Sequence, residues 1–141
     1  MNATPPAAVG SFVQAAGFVA EEVTATWVRG HADLGPDHHT DQGVVHGGLY
    51  ATLVEIAGGA GANAAVAARG EFAVGVHNAT DFLRASTGGR ATVTAEALHQ
   101  GRSQQLWDVV IRDEASGKVL ARGQLRVQNL PLPERPEDAE A

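Results

Sequence analysis

The chain has 141 residues, 44% of them hydrophobic, which suits one domain with a core of its own and leaves too little for two. It has no cysteine, so disulfide scaffolds, thiolate nucleophiles and cysteine zinc sites are excluded; its net charge of −6 argues against a nucleic-acid partner. Residues 1–81 hold eight acids and two bases, residues 82–130 four acids and seven bases, and residues 131–141 four acids and one base. The middle stretch, with Arg84, Arg90, Arg102, Arg112, Lys118, Arg122 and Arg126, is therefore the part suited to a small phosphorylated ligand, although solvated strand faces account for most such residues.

In chain order, residues 1–10 read as a disordered tail, 11–130 as the domain and 131–141, with its prolines and acids, as a second disordered tail. The opening Met1-Asn2-Ala3-Thr4-Pro5-Pro6 has no basic region and no apolar run, so no secretory signal and a cytoplasmic location are expected. Ser11 to Gly17 predicts a short helix. Phe18 to Arg29, with Val23, Ala25 and Trp27 alternating, predicts one strand, and Gly30 to Gly43 a polar loop. From His46 to about Ala68, Leu49, Leu53, Ile56, Ala60 and Ala64 recur at helical spacing, with Gly70 placed to stop the helix. This segment is apolar enough to raise the question of a membrane span. His46, Glu55 and Asn63 interrupt it, and its many Gly and Ala residues favour a buried helix, with no membrane partner. Four strands follow: Phe72 to Arg84, Ala91 to Ala97, Gln105 to Arg112 and Val119 to Val127, with turns at Gly88-Gly89, Gln100-Gly101 and Ser116-Gly117. The fold class is α+β, an antiparallel sheet packed on one long central helix.

The segment from Gly43 to Glu55, Gly-Val-Val-His-Gly-Gly-Leu-Tyr-Ala-Thr-Leu-Val-Glu, carries the chemistry. Glycines at a helix start let a ligand approach the backbone, and the first amides of the helix have no intrahelical partner, so they can meet a developing oxyanion. The helix dipole favours negative charge at the same place. Glu55 stands two turns on, among Leu53, Val54 and Ile56, where an unpaired carboxylate would be expensive unless it had a role. Eight residues at about 1.5 Å each put about 12 Å between Gly47 and Glu55, too far for one carbonyl to touch both on one helix.

The order of elements, with this segment in its place, resembles the hotdog-fold acyl-CoA thioesterases, in the branch of the phenylacetate-pathway and 4-hydroxybenzoyl-CoA enzymes. Val74 to Arg84 is similar to the family's strand after the helix, and His99 to Trp107 to its phosphate-side turn and strand. The likeness spans about residues 18–129. It is strongest to small actinobacterial members, where Gly-Val-Val-His-Gly-Gly and Gln-Gln-Leu-Trp segments also occur.

The resemblance implies a hotdog fold and hydrolysis of an acyl-CoA thioester. An aromatic acyl group is the first expectation, ahead of naphthoyl groups of menaquinone synthesis or medium-chain fatty acyl groups. It implies no cofactor, since coenzyme A is part of the substrate. By analogy Glu55 adds to the thioester or activates water, the Gly47 amide polarises the carbonyl, and His46 shapes the turn or the pocket. Gly48 and Thr40 would lie against the substrate, Asn78 and Thr80 near the acyl pocket, and Arg84, Arg102 and Ser103 on the nucleotide and phosphate end. His77 and Asp81 are less defined. The family shares its sites at a dimer interface, which fits the 12 Å gap and implies a homodimer or homotetramer. One departure is Thr40, where relatives commonly carry Gln or Asn; Gln42 is the other residue placed to do that work. Two readings compete on the same fold: an enoyl-CoA hydratase using Asp41 and His46, and a non-catalytic acyl-CoA-binding protein. A metal site from Asp37, His38, His39, Asp41 and His46 is not expected, because adjacent histidines point apart and no helical His-x3-His occurs. A serine hydrolase is excluded by the missing Gly-x-Ser-x-Gly turn.

Overall fold

Thr24 cuts the expected first strand in two. Its hydroxyl accepts from the amides of Thr26 (3.3 Å) and Trp27 (2.9 Å) and donates to the Trp27 carbonyl (2.8 Å), which closes a turn. The computed structural model, which describes residues 10–134, accordingly has a hairpin of β1, Phe18–Val23, and β2, Trp27–Leu34. The strand β2 also takes in Gly30 to Leu34, expected as loop. Val28, Gly30, Ala32 and Leu34 all point inward there, a period-two pattern that small residues and the flanking His31 and Asp33 disguise.

Before the hairpin lies α1, Ser11–Ala16, ended by Gly17 at φ 78°. After it, the loop to Gly43 contains a 3-10 turn, Pro36–His38. The long helix α2 runs Gly47–Val66 and passes through a 3-10 turn, Ala67–Arg69, to Gly70. There follow β3, Glu71–Phe82; β4, Gly89–Gln100; β5, Gln104–Asp113; and β6, Val119–Pro131. Of the expected tails, Gly10 and residues 131–134 are described. Pro131 closes β6 opposite Glu71, and the Leu132 amide donates to the Gly70 carbonyl (3.0 Å). The rest, residues 1–9 and 135–141, lie outside the described residues.

All strand pairs are antiparallel, in the order β1-β2-β4-β5-β6-β3, and α2 touches every strand. Alternate residues of β5, Gln105, Trp107, Val109 and Ile111, are buried, as are Leu53, Val54 and Ala57 of α2. The helix is long and apolar enough to span a membrane by composition; its residues Tyr50, Leu53, Val54, Ala57, Ala62 and Val66 are buried in the chain. A methyl on Gly61 would overlap the Trp107 ring, and one on Gly58 would lie 2.9 Å from Leu125. These small residues thus seat the indole, whose burial is worth about 2–3 kcal/mol.

The buried Gln105 is fully used. Its amide nitrogen donates to the Ala62 carbonyl (3.1 Å) and Asn129 Oδ1 (2.9 Å), while its oxygen accepts from Trp107 Nε1 (3.0 Å). The network fastens the C-terminal half of α2 to β5 and β6. Gln105 and Trp107 of the Gln-Gln-Leu-Trp segment therefore build the core.

Candidate active site

Backbone bonds fix the turn into α2 from three directions. The His46 amide donates to the His38 carbonyl (2.8 Å), the Val45 amide to the Ser86 carbonyl (2.8 Å) and the Thr40 amide to the Val44 carbonyl (2.7 Å). His46 is the N-cap, at φ −65° and ψ 134°, and its Nδ1 accepts from the Gly48 amide at 2.8 Å. A ring nitrogen that accepts carries no proton, so the neutral imidazole keeps its proton on Nε2 and presents a donor. Of the two glycine amides, Gly48's is thereby spent. Gly47's has no hydrogen-bond partner among the described residues, and it sits at the positive end of a 20-residue helix. A Cβ on Gly47 would fall 2.5 Å from the Phe82 ring of β3, so a larger residue there has to displace that exposed ring.

Glu55 corrects an expectation. Its neighbours Leu53 and Val54 turn inward, but at about 100° per residue Glu55 emerges on the outer face of α2, exposed in the single chain. Desolvation therefore does not single it out; its position does. The carboxylate lies over Gly75 of β3, where a Cβ would come within 2.9 Å of Oε1. No ion pair engages it among the described residues. The same helix stripe is stitched to β3 on either side of it. Asn78 Nδ2 donates to the Ala51 carbonyl (2.9 Å), and the Asn63 side chain accepts from the Ala73 amide (2.9 Å). Beyond β3 the sheet has no further strand among the described residues, and Val76, Phe82 and Leu83 are 52%, 57% and 60% exposed along or just past this edge.

On the other flank of α2 a cleft of about 410 Å³ opens between α1 and the first two turns, lined by Phe12, Ala15, Ala16, Leu49, Thr52 and Gly48, with Asp37, His38, His39 and His46 around them. Sequence reasoning did not find it. The helix α1 was legible, but nothing local shows that His38 ties it down: Nε2 donates to the Ala15 carbonyl (2.8 Å) and Nδ1 accepts from the Gly35 amide (3.2 Å).

Other expected residues are dispersed. The Thr40 hydroxyl accepts from the Gln42 amide (3.2 Å) within the turn, and Asp41 stands exposed beside it. Thr80 donates to Asn78 Oδ1 (2.6 Å), so this pair braces β3 against α2. Arg84, just past β3, rims a depression with Ser86 and Asp113. Arg102 and Ser103 form the β4–β5 turn at the far end of α2, where Arg69 Nη2 donates to the Arg102 carbonyl (3.2 Å). A 20-residue helix separates the two ends by about 30 Å. One chain does not gather Gly47, Glu55, Arg84 and Arg102 around one ligand.

Beneath the turn, Tyr50 is 2% exposed and packs on Phe82 with centroids 6.3 Å apart. Its hydroxyl has no partner among the described residues. The hydroxyl of Ser86 nearby is engaged with Gly88. Burial pushes the Tyr50 phenol above the ordinary tyrosine range.

Residues 42–120 match the Thioesterase superfamily. Rv1847 of Mycobacterium tuberculosis, which is named as an esterase, is 45% identical over 104 residues, covering 72% of this chain and 74% of its own. Its structure superposes with a TM-score of 0.84 at 39% identity, over 89% of this chain and all of that one. A Listeria monocytogenes protein named 1,4-dihydroxy-2-naphthoyl-CoA hydrolase is 36% identical over 76 residues, 54% of this chain and 61% of its own. The proofreading thioesterase EntH of Cronobacter sakazakii is 30% identical over 114 residues, 81% and 80% of the two chains.

Proposed function

Because the chain belongs to the thioesterase superfamily and shares its hotdog fold, we propose that it is an acyl-CoA thioesterase whose site takes the Gly47 amide from one copy and the Glu55 carboxylate from another. That it is a thioester hydrolase agrees with its named relatives; the assignment of roles is our reading. The observation that carries it is the unbroken helix between the two groups, about 12 Å of rise.

In this reading the thioester oxygen accepts from the Gly47 N–H, which stabilises charge as the carbonyl carbon becomes tetrahedral. Glu55 either adds to that carbon, giving an anhydride that water cleaves, or takes a proton from the attacking water. By both routes the C–S bond breaks and coenzyme A departs as thiolate, protonated by Glu55 where that residue has taken a proton from water and by solvent where it has added to the carbon. The open edge of β3, with exposed Val76 next to Gly75 under Glu55 and exposed Phe82 at the Gly47 end, supports edge-to-edge pairing of two copies as a homodimer. Antiparallel pairing there sets the Gly47 end of one copy against the Arg102 and Ser103 end of the next, the arrangement a long thioester with a phosphorylated tail needs. A homotetramer of such dimers is compatible with it. An aromatic acyl group is favoured, since one relative is by name a naphthoyl-CoA hydrolase.

The test is thiol release from aromatic and aliphatic acyl-CoAs by wild type and Glu55→Ala, with folding and dimer state checked in parallel. A folded Glu55→Ala dimer is expected to lose about 2 or more orders of magnitude in rate, about 3 kcal/mol of barrier. Absence of hydrolysis by wild type would turn the assignment to acyl-CoA binding without catalysis.

A further inference from the structure

We propose that the cleft between α1 and α2 receives the acyl group, that this group has an apolar body larger than acetyl, and that Phe12 and Ala15 of α1 set its size; the inference rests on the thioesterase reading.

Three observations carry it. The cleft adjoins the turn that carries the Gly47 amide, because His46 and Gly48, the residues before and after Gly47, are part of its lining. A carbonyl held at the Gly47 amide thus has its acyl substituent at the mouth of the cleft. Its volume of about 410 Å³ lies in the range of small-molecule pockets, about 300–1,000 Å³, and far exceeds what an acetyl group fills. Its walls sort by chemistry: Phe12, Ala15, Ala16 and Leu49 are apolar, while Asp37 places a carboxylate at the polar side.

The roof is pinned rather than loose, since the His38 imidazole bridges the Gly35 amide and the Ala15 carbonyl. Phe12 is 71% exposed, much for a phenylalanine on a short helix. An acyl group in the cleft gives that ring an apolar partner. The chain's own Glu55 is not among the lining residues, which accords with a carboxylate delivered by another copy.

Ala15 is exposed and helical, so a larger side chain at this position projects into the cleft without entering the core. The experiment compares kcat/KM for 2-naphthoyl-CoA and acetyl-CoA in wild type, Ala15→Trp and the milder Ala15→Leu. The proposal expects the naphthoyl-to-acetyl ratio to fall tenfold or more in Ala15→Trp and by an intermediate factor in Ala15→Leu. Phe12→Ala, which removes the aromatic wall, lowers the same ratio. An unchanged ratio, or an equal fall for both substrates in folded variants, would overturn the cleft assignment and leave the thioesterase reading standing. Failure of wild type to cleave any acyl-CoA would remove that reading, and this inference with it.

Discussion

Tyr50 buries a hydroxyl with no partner among the described residues, and a phenol so placed costs about 1–3 kcal/mol of unrecovered hydration. Tyr50→Phe is therefore expected to hold or raise stability at neutral pH, within that range, in urea unfolding. The pH dependence has a definite sign. The folded-state phenol titrates above its unfolded value near 10, so ionisation leaves stability untouched below about pH 10 and lowers it as pH rises through the folded value. Wild type should lose stability above about pH 10 more steeply than Tyr50→Phe. Tyr50 is the chain's single tyrosine, so tyrosinate absorbance follows it alone; equal slopes for the two proteins would refute the assignment. At this scale, the amides of a glycine turn at a helix start and the lone carboxylate two turns on were legible in the sequence. That Gly48's amide is taken by His46 Nδ1 was not, because the bond depends on a turn whose backbone is held by the carbonyls of His38 and Ser86. The apolar neighbours of Glu55 misled, since adjacent residues on a helix face different ways.

Among elements, α2 carries two kinds of glycine. A methyl on Gly61 meets the Trp107 ring, whereas one on Gly59 meets nothing within 4 Å. Gly→Ala in a helix gains up to about 1 kcal/mol of propensity, and overpacking costs about 1–3 kcal/mol. Gly61→Ala should lower stability by about 1–2 kcal/mol and Gly59→Ala raise it by up to about 1 kcal/mol. The paired denaturation midpoints decide: the same sign for both would show that the indole does not set the helix composition. The helix and the four strands after it were legible because their periodicities are long and regular. The β1–β2 hairpin was not. Its turn rests on one threonine hydroxyl in a run that keeps strand alternation across the break, and the end of β2 buries Gly30 and Ala32, which carry little hydrophobic signal.

For the whole molecule, the sheet closes around α2 but leaves β3 unpaired on one side, next to Glu55. The Gly47 turn and the Arg102 turn occupy opposite ends of the same helix. Sequence spacing made the first half of this visible, since eight helical residues cannot converge on one carbonyl. It did not reveal that Arg84 and Arg102 lie far apart, which depends on strand order, nor the cleft under α1, which depends on His38 reaching Ala15. In the shared site proposed above these features make up one copy's half, and such a site makes a sharp demand on mixtures. Gly47→Pro removes the amide at the helix position that best tolerates proline, with Phe82 able to swing aside as an exposed ring; Glu55→Ala removes the carboxylate. Each variant alone should be inactive. Unfolded together in equal amounts and reassociated, they should regain about a quarter of wild-type thioesterase activity, because half the dimers are mixed and each mixed dimer has one intact site of two. A folded, dimeric mixture with no activity beyond that of its parents would contradict the shared site.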